Sequence, residues 1–188
     1  MVKDLEKLNL GLSRDNKVEL KSCFSDWQKA FEIEKARLSS CLNDSSIEIH
    51  HIGSTSIPSI LAKPILDILI VVPSIETLDL KQQNFEALGY EYKGEYGIQG
   101  RRYCVLYNFD KTIGYVHIHS FQRGHSEVEN HLLFRNYLIA HPERAASYQN
   151  LKLDLLKRSN VTRTEYTQSK SLLIQEILNE AKTWNCSN

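Results

Sequence analysis

The longest apolar run in the chain is Ile65 to Val72, bounded by Pro64 and Pro73 and interrupted only by Asp67. Continuous rather than alternating hydrophobicity predicts a strand buried on both faces. Just before it, Ile47 to Ile52 alternates and predicts a second short strand that turns at Gly53 and Ser54. Further on, Tyr90–Tyr92, Arg101–Tyr107 and Tyr115–Phe121 read as strands, separated by the Gly94–Gly100 loop and a turn over Asn108–Gly114. Together they predict a mixed sheet of about five strands.

Helical spacing alternates with these strands. Ser25 and Asp26 are candidate caps for a helix to Leu42, with Trp27, Phe31, Leu38 and Leu42 near one face. Ser74 starts a helix that buries Leu78, Phe85 and Leu88 and stops at Gly89. After the strands, Ser126 and Glu129 form a capping-box pattern, His141-Pro142 restarts a helix, and Thr162 with Glu165 caps another. The fold class expected is α+β, a mixed sheet flanked by helices with a C-terminal helical part. An arm over residues 1–17 precedes a single domain over 18–188, with sheet core to residue 123 and C-terminal helices over 124–184.

Composition narrows the function classes. With 188 residues and 41% hydrophobic content, the chain is long enough for one substantial core. Lys plus Arg equals Asp plus Glu at 23 each, so no global field draws the protein to nucleic acid or to an anionic membrane. Cys23, Cys41, Cys104 and Cys186 have no CxxC spacing, which argues against a zinc ribbon or disulfide framework and for a reducing cytoplasm. No leader-like segment opens the chain and no apolar run approaches the ~20 residues a bilayer needs, so a soluble cytoplasmic protein is expected.

The candidate chemistry sits around the long apolar strand. A carboxylate inside such a strand costs several kcal/mol unless it meets a cation or hydrogen-bond donors, so Asp67 is a site candidate. Gly53 allows backbone to approach a ligand, Ser54 and Thr55 add hydroxyl donors suited to phosphate, and Lys63 adds charge. In YVHIHSF, His117 and His119 are two apart on one strand and project from the same face, spacing that suits two ligands on one metal. With Asp67 they would hold a divalent metal (Mg, Mn or Zn); the competing reading is two histidines hydrogen-bonded on a sheet face. His51 is a further candidate, as ligand or as a residue fixing the turn, while His125, His131 and His141 read as surface or cap residues. Arg101 and Arg102 point to opposite faces of their strand, and Arg102 is the one assigned to the pocket. No GxSxG elbow, Walker A sequence or GxGxxG is present.

HIGSTSIP followed by AKPILDIL resembles the signature of the GrpB family, a group similar to the nucleotidyltransferase superfamily, with the likeness extending over Val18 to Lys182. The resemblance implies a Gly-Ser turn that holds nucleotide phosphates and carboxylates on the next strand that bind divalent metal. Asp67 matches the first carboxylate; Leu69 stands where the second is usual, and the HxH strand takes the place of a third. FRNYLIAHPE resembles the helix that begins the family's C-terminal part, with Arg135 matching its arginine and Lys152, Tyr166 and Lys170 matching later positions. The implied function is metal-dependent nucleotidyl or phosphoryl transfer to a small-molecule acceptor. The alternatives are a non-catalytic nucleotide or phosphometabolite binding domain, or a single-metal phosphate-ester hydrolase. The expected partner is a nucleotide or other phosphorylated small molecule, with neither membrane nor nucleic acid.

Overall fold

The structure, a computed structural model, describes residues 2–8, 10, 19–108, 111, 114–157 and 163–186. Its strands are β1 (Glu48–Ile52), β2 (Leu66–Val72), β3 (Tyr90–Tyr92), β4 (Arg102–Tyr107) and β5 (Gly114–Gln122). Its helices are α1 (Val2–Lys7), α2 (Phe24–Leu42), α3 (Glu76–Asp79), α4 (Gln82–Ala87), α5 (Ser126–Ala140), α6 (Pro142–Lys157) and α7 (Arg163–Cys186). The strands form one mixed sheet in the order β1-β2-β5-β4-β3, with β2 and β5 parallel and the other pairs antiparallel. This is the expected α+β arrangement, a mixed sheet of five strands flanked by helices.

Register decides which side chains share a face. Asp67 pairs with His117, Leu69 with His119, and Tyr103 on β4 with His119. Side chains alternate along each strand, so Asp67, His117, His119 and Tyr103 lie on one side of the sheet. The opposite side carries Ile68, Ile70, Val116, Ile118, Cys104 and Leu106, which form the main core with Trp27, Phe31 and Leu38 of α2 and with Leu78 and Phe85. Here the helix expected from Ser74 to Gly89 is two short helices, α3 and α4, that still bury Leu78 and Phe85. Residues near the N-terminus join this core: Leu5 and Leu10 are buried, and Tyr115 donates to Glu6 Oε1 at 2.7 Å.

Two smaller cores lie on the Asp67 side. Ile52, Leu69, Val71 and Phe121 meet Val128 and Leu132 of α5. Leu133, Tyr137, Leu138, Ala145, Tyr148, Ile177 and Ala181 tie α5, α6 and α7 together, and Ile57 and Ile60, from the segment after the Gly53 turn, are buried among them. Two caps differ from expectation. The N-cap of α2 is Cys23, without a side-chain bond, and α5 is capped by His125, whose Nδ1 accepts from the Glu127 N–H at 3.2 Å. The helix starts one residue earlier than the box requires, with Ser126 already inside it; Thr162 lies outside the described residues. Among the described residues no helix is long and apolar enough to cross a membrane.

Candidate functional site

The end of β1 meets the start of β2 where Ile52 pairs with Asp67. Gly53, the next residue, adopts φ +70°, and a β-carbon built there would lie 2.5 Å from Asp67 Oδ2 and 3.0 Å from Asp67 Cβ. Only glycine combines that conformation with that approach. The chain then makes a single 3-10 turn over Ser54–Ser56, closed by Ser56 Oγ donating to the Gly53 carbonyl at 2.6 Å.

His117 faces Asp67 from the neighbouring strand, its Nδ1 3.4 Å from Asp67 Oδ1. Its other edge lies against Gly114, where a β-carbon would be 3.0 Å from His117 Nε2. Burial works to raise the Asp67 pKa, but the hydrogen bond and charge of His117, with His119 and His131 further off, outweigh it and hold the carboxyl below its ordinary range. About 30% of the Asp67 side chain remains exposed, so the carboxylate opens onto a cleft. His119 stands beside it on β5, and burial lowers its pKa to about 3, which keeps the ring neutral.

The C-terminal helices supply the other wall. His131 of α5 approaches His119 with ring centroids 5.4 Å apart and also contacts Phe121 at 6.3 Å. This corrects its reading as a surface residue. Val128, His131, Leu132 and Arg135 fall at three- and four-residue spacing, a stripe that faces the sheet. Tyr148 of α6 is buried and accepts a long hydrogen bond from Ser54 Oγ at 3.5 Å. Lys170 of α7 is half-buried; burial lowers its pKa while Asp67 opposes the shift, which puts its amine in the field of that carboxylate. Lys152 is 2% exposed, donates to the Leu61 carbonyl and sits 4.7 Å from the Tyr148 ring centroid. Burial first, then Lys170, pushes its pKa down to about 7.

Other predicted residues fall elsewhere. Arg102 points to the opposite side of the sheet and makes a two-pronged bond to Asp79, Nε to Oδ1 and Nη2 to Oδ2, each 2.6 Å. The pocket-side arginine is Arg101, which precedes the strand and lies 4.6 Å over the Tyr103 ring. Alternation puts Arg101 on the face of Tyr103 and His119 once Arg102 pairs with Ser120; which of the two faces is the cleft is set by the pairing of β4 with β5, which strand spacing alone does not give. Thr55 is buried and its Oγ1 is 3.0 Å from His51 Nε2, so it braces the turn from behind instead of facing phosphate. His51 pairs in register with Ile68, on the far side from Asp67, and stacks on Phe31 at 5.0 Å. Burial lowers its pKa to about 4, and its place is that of the residue fixing the turn. Arg135 is half-buried and donates from Nη1 to the His51 carbonyl at 2.8 Å, gripping the end of β1. Lys63 is half-buried on the segment entering β2. The Tyr166 side chain lies outside the described residues.

The donor set suits a divalent ion in part. One carboxylate and two imidazoles share a face, yet among the described residues no group of three histidine, cysteine or acidic side chains is compact enough to hold a metal. An ion held here would draw further ligands from outside the protein, and the two imidazoles suit a borderline metal such as Zn or Mn better than Mg.

A family model described as GrpB protein matches residues 17–180. YqkA of Bacillus subtilis (strain 168), a UPF0157 protein, is 42% identical over 168 residues, covering 89% of this chain. The chain spans about half the length of that relative, 48%. The crystal structure of conserved protein GrpB from Enterococcus faecalis overlays with a TM-score of 0.76 at 40% identity, over 84% of this chain and 94% of the other. A weaker likeness, TM-score 0.46 at 16% identity over 83% of this chain and 44% of the other, is to the Cid1 poly(U) polymerase. With its whole sheet, α5, α6 and most of α7 inside the match, the chain belongs to the GrpB family.

Proposed function

We propose that the cleft binds a nucleotide through its phosphates, together with a divalent ion, and transfers a nucleotidyl or phosphoryl group to a small-molecule acceptor. One observation carries the reading: the Gly53 backbone lies directly against the Asp67 carboxylate, so a phosphate cradled by the turn is delivered to the only acid on this face of β2. Asp67, with His117 and His119, would hold the ion, and phosphate oxygens would complete its shell; a bound divalent ion supplies neutralisation of the phosphate charge. Ser54 and the turn's N–H groups orient the phosphates, and Lys170 adds charge from the helical side. The acceptor oxygen bonds to phosphorus as the bond to the leaving oxygen breaks; the electron pair departs with the leaving phosphate and the acceptor proton passes to water.

A second reading is favoured by Leu69. It is fully buried in an apolar cluster with Ile52, Val71 and Phe121, so the place of a second acid is structural here, and a nucleotide-binding domain without catalysis is the rival. Thermal shift with ribonucleoside triphosphates and Mg, Mn or Zn tests binding, since a ligand at ~100 times its Kd stabilises by ~2.7 kcal/mol. Products then separate the readings: pyrophosphate and a modified acceptor indicate nucleotidyl transfer, orthophosphate alone indicates hydrolysis, and unaltered nucleotide indicates binding only. Absence of any stabilisation by nucleotide with metal refutes the proposal.

A further inference from the structure

On the Asp67 side of the sheet, α5 lies over β1 and β2. Over β5 and β4 the same side is surfaced with rings. Tyr103 contacts His117 and His119 with centroids 5.7 and 5.1 Å apart, and Tyr96, from the β3–β4 loop, stacks on Tyr103 at 5.3 Å and 15°. Tyr96 is 63% exposed and has φ +45°, a left-handed conformation that is costly for a tyrosine. Exposed rings are common, but an exposed ring held in a strained backbone and aligned on a second ring is a feature of binding sites.

Two cations lie against these rings. Arg101 is 6% exposed, donates to the carbonyls of Glu95 at 3.1 Å and Tyr96 at 2.5 Å, and is ion-paired with no carboxylate among the described residues. Lys93, paired with Glu91 at 2.8 Å, reaches over Tyr96 at 5.2 Å from the centroid. A buried guanidinium hydrogen-bonded only to carbonyls still lacks a direct anionic partner beside the rings, with Glu127 and Glu95 offsetting part of its charge from further away.

Position then assigns the rings a role. In the order β1-β2-β5-β4, the Gly53–Ser54 turn lies on the β1 side of Asp67 and Tyr103 lies two strands away on the other side, a separation of ~10 Å. Phosphoryl and nucleotidyl transfer need the entering and leaving oxygens roughly in line through phosphorus. If the leaving phosphates occupy the turn, the entering oxygen comes from the β4 side.

We propose that Tyr96 and Tyr103, with Arg101 beside them, are the acceptor shelf, which takes a planar ring bearing a negative charge. The assignment rests on the transfer reading above, which supplies the phosphorus to be attacked. Two sources share the chemistry, an aromatic carboxylic acid and a nucleoside monophosphate.

The test is calorimetric titration of the full chain with 4-hydroxybenzoate, with AMP, and with trans-4-hydroxycyclohexanecarboxylate as a non-planar control. Variants are Tyr96→Asn, which removes the ring while tolerating the left-handed backbone, and Tyr96→Phe, which keeps the ring. The expected result is binding of a planar probe that Tyr96→Asn weakens about tenfold or more and Tyr96→Phe leaves within about threefold. Response of 4-hydroxybenzoate points to the aromatic-acid source, and response of AMP alone to the nucleotide source. Equal affinity of wild type and Tyr96→Asn for both planar probes, or failure of both to bind wild type, overturns the shelf. The four ribonucleoside triphosphates with Mg are titrated separately. Ring binding by a protein that takes none of them leaves no phosphorus to attack and overturns the acceptor role, while ring loss with triphosphate binding intact leaves the transfer reading standing.

Discussion

Gly53 and Asp67 occupy one another's space so closely that no side chain fits between them: a β-carbon on the first would stand 2.5 Å from a carboxylate oxygen of the second. Turn and acid are thus a single unit, and changes at one are felt at the other. Gly53→Ala is expected to destabilise the fold by ~1–2 kcal/mol through its φ of +70° and by a further ~1–3 kcal/mol through the clash. In the Asp67→Ala background the 2.5 Å clash with the carboxylate is gone, while the 3.0 Å approach to the β-carbon and the backbone cost stay, so urea unfolding of the two single variants and the double should give a favourable coupling of ~1 kcal/mol or more. Strict additivity would separate the two residues.

Asp67→Asn keeps the volume beside Gly53 and removes the charge. Its melting temperature is expected to fall by a few degrees, because the hydrogen bond and charge of His117 outweigh the cost of burial and favour the charged carboxylate in the fold. Metal-promoted nucleotide binding is expected to fall about tenfold or more. Calorimetry with ATP, with and without Mn, measures it; unchanged metal dependence would remove Asp67 from the ion's ligands.

Arg102→Ala tests the reassignment of the two arginines. Its bonds to Asp79 lie on the far side of the sheet, partly exposed, so the loss is expected to be ~1 kcal/mol of stability with no change in nucleotide affinity. Weakened binding at unchanged stability would return Arg102 to the cleft.

Lys152 gives the stability a predictable pH slope. Its pKa is about 7 in the folded chain, below the ordinary lysine value, so between pH 7 and ~10.4 the unfolded chain holds the extra proton. Stability therefore gains from rising pH across that window, by at most ~1.4 kcal/mol per pH unit from this group, and the gain is absent below pH 7. Urea unfolding of wild type and Lys152→Met at pH 7 and pH 9 isolates the term. The variant is expected to lose the slope; an identical slope in both proteins would mean that the amine titrates normally.

Much of this was legible in the chain. Strand alternation alone puts His117 and His119 on one face, and the apolar run marks Asp67 as out of place, because side-chain period and desolvation are local properties. The parallel pairing that sets Asp67 opposite His117 is a long-range fact that no local pattern carries. Reasoning failed where strand pairing or a loop sets the face. Alternation sends Arg101 and Arg102 to opposite faces, but only the pairing of β4 with β5 decides that the Arg101 face is the cleft. Thr55 was read as a phosphate donor because hydroxyls after a Gly-Ser turn suit that role, but the 3-10 turn rotates it inward to His51. His131 was passed over since one polar residue on a helix stripe has no signature until the opposing surface is known.

The segment after the turn has a consequence for how this protein can vary. Ile57 and Ile60 are sunk in the core of the C-terminal helices, the Leu61 N–H is held by Gln149 and its carbonyl by Lys152. The loop beside Asp67 is thereby moored in one structural unit while its first residue is fixed in another. Helices α5 to α7 are not an interchangeable cover for a self-sufficient sheet. A chain cut after Gln122 would keep every strand and lose the anchorage of the Gly53–Ser54 turn, and substitutions deep between the helices should retune the cleft without touching it. Diversification of this architecture must then proceed by paired changes, loop with helix, and not by exchange of either part alone.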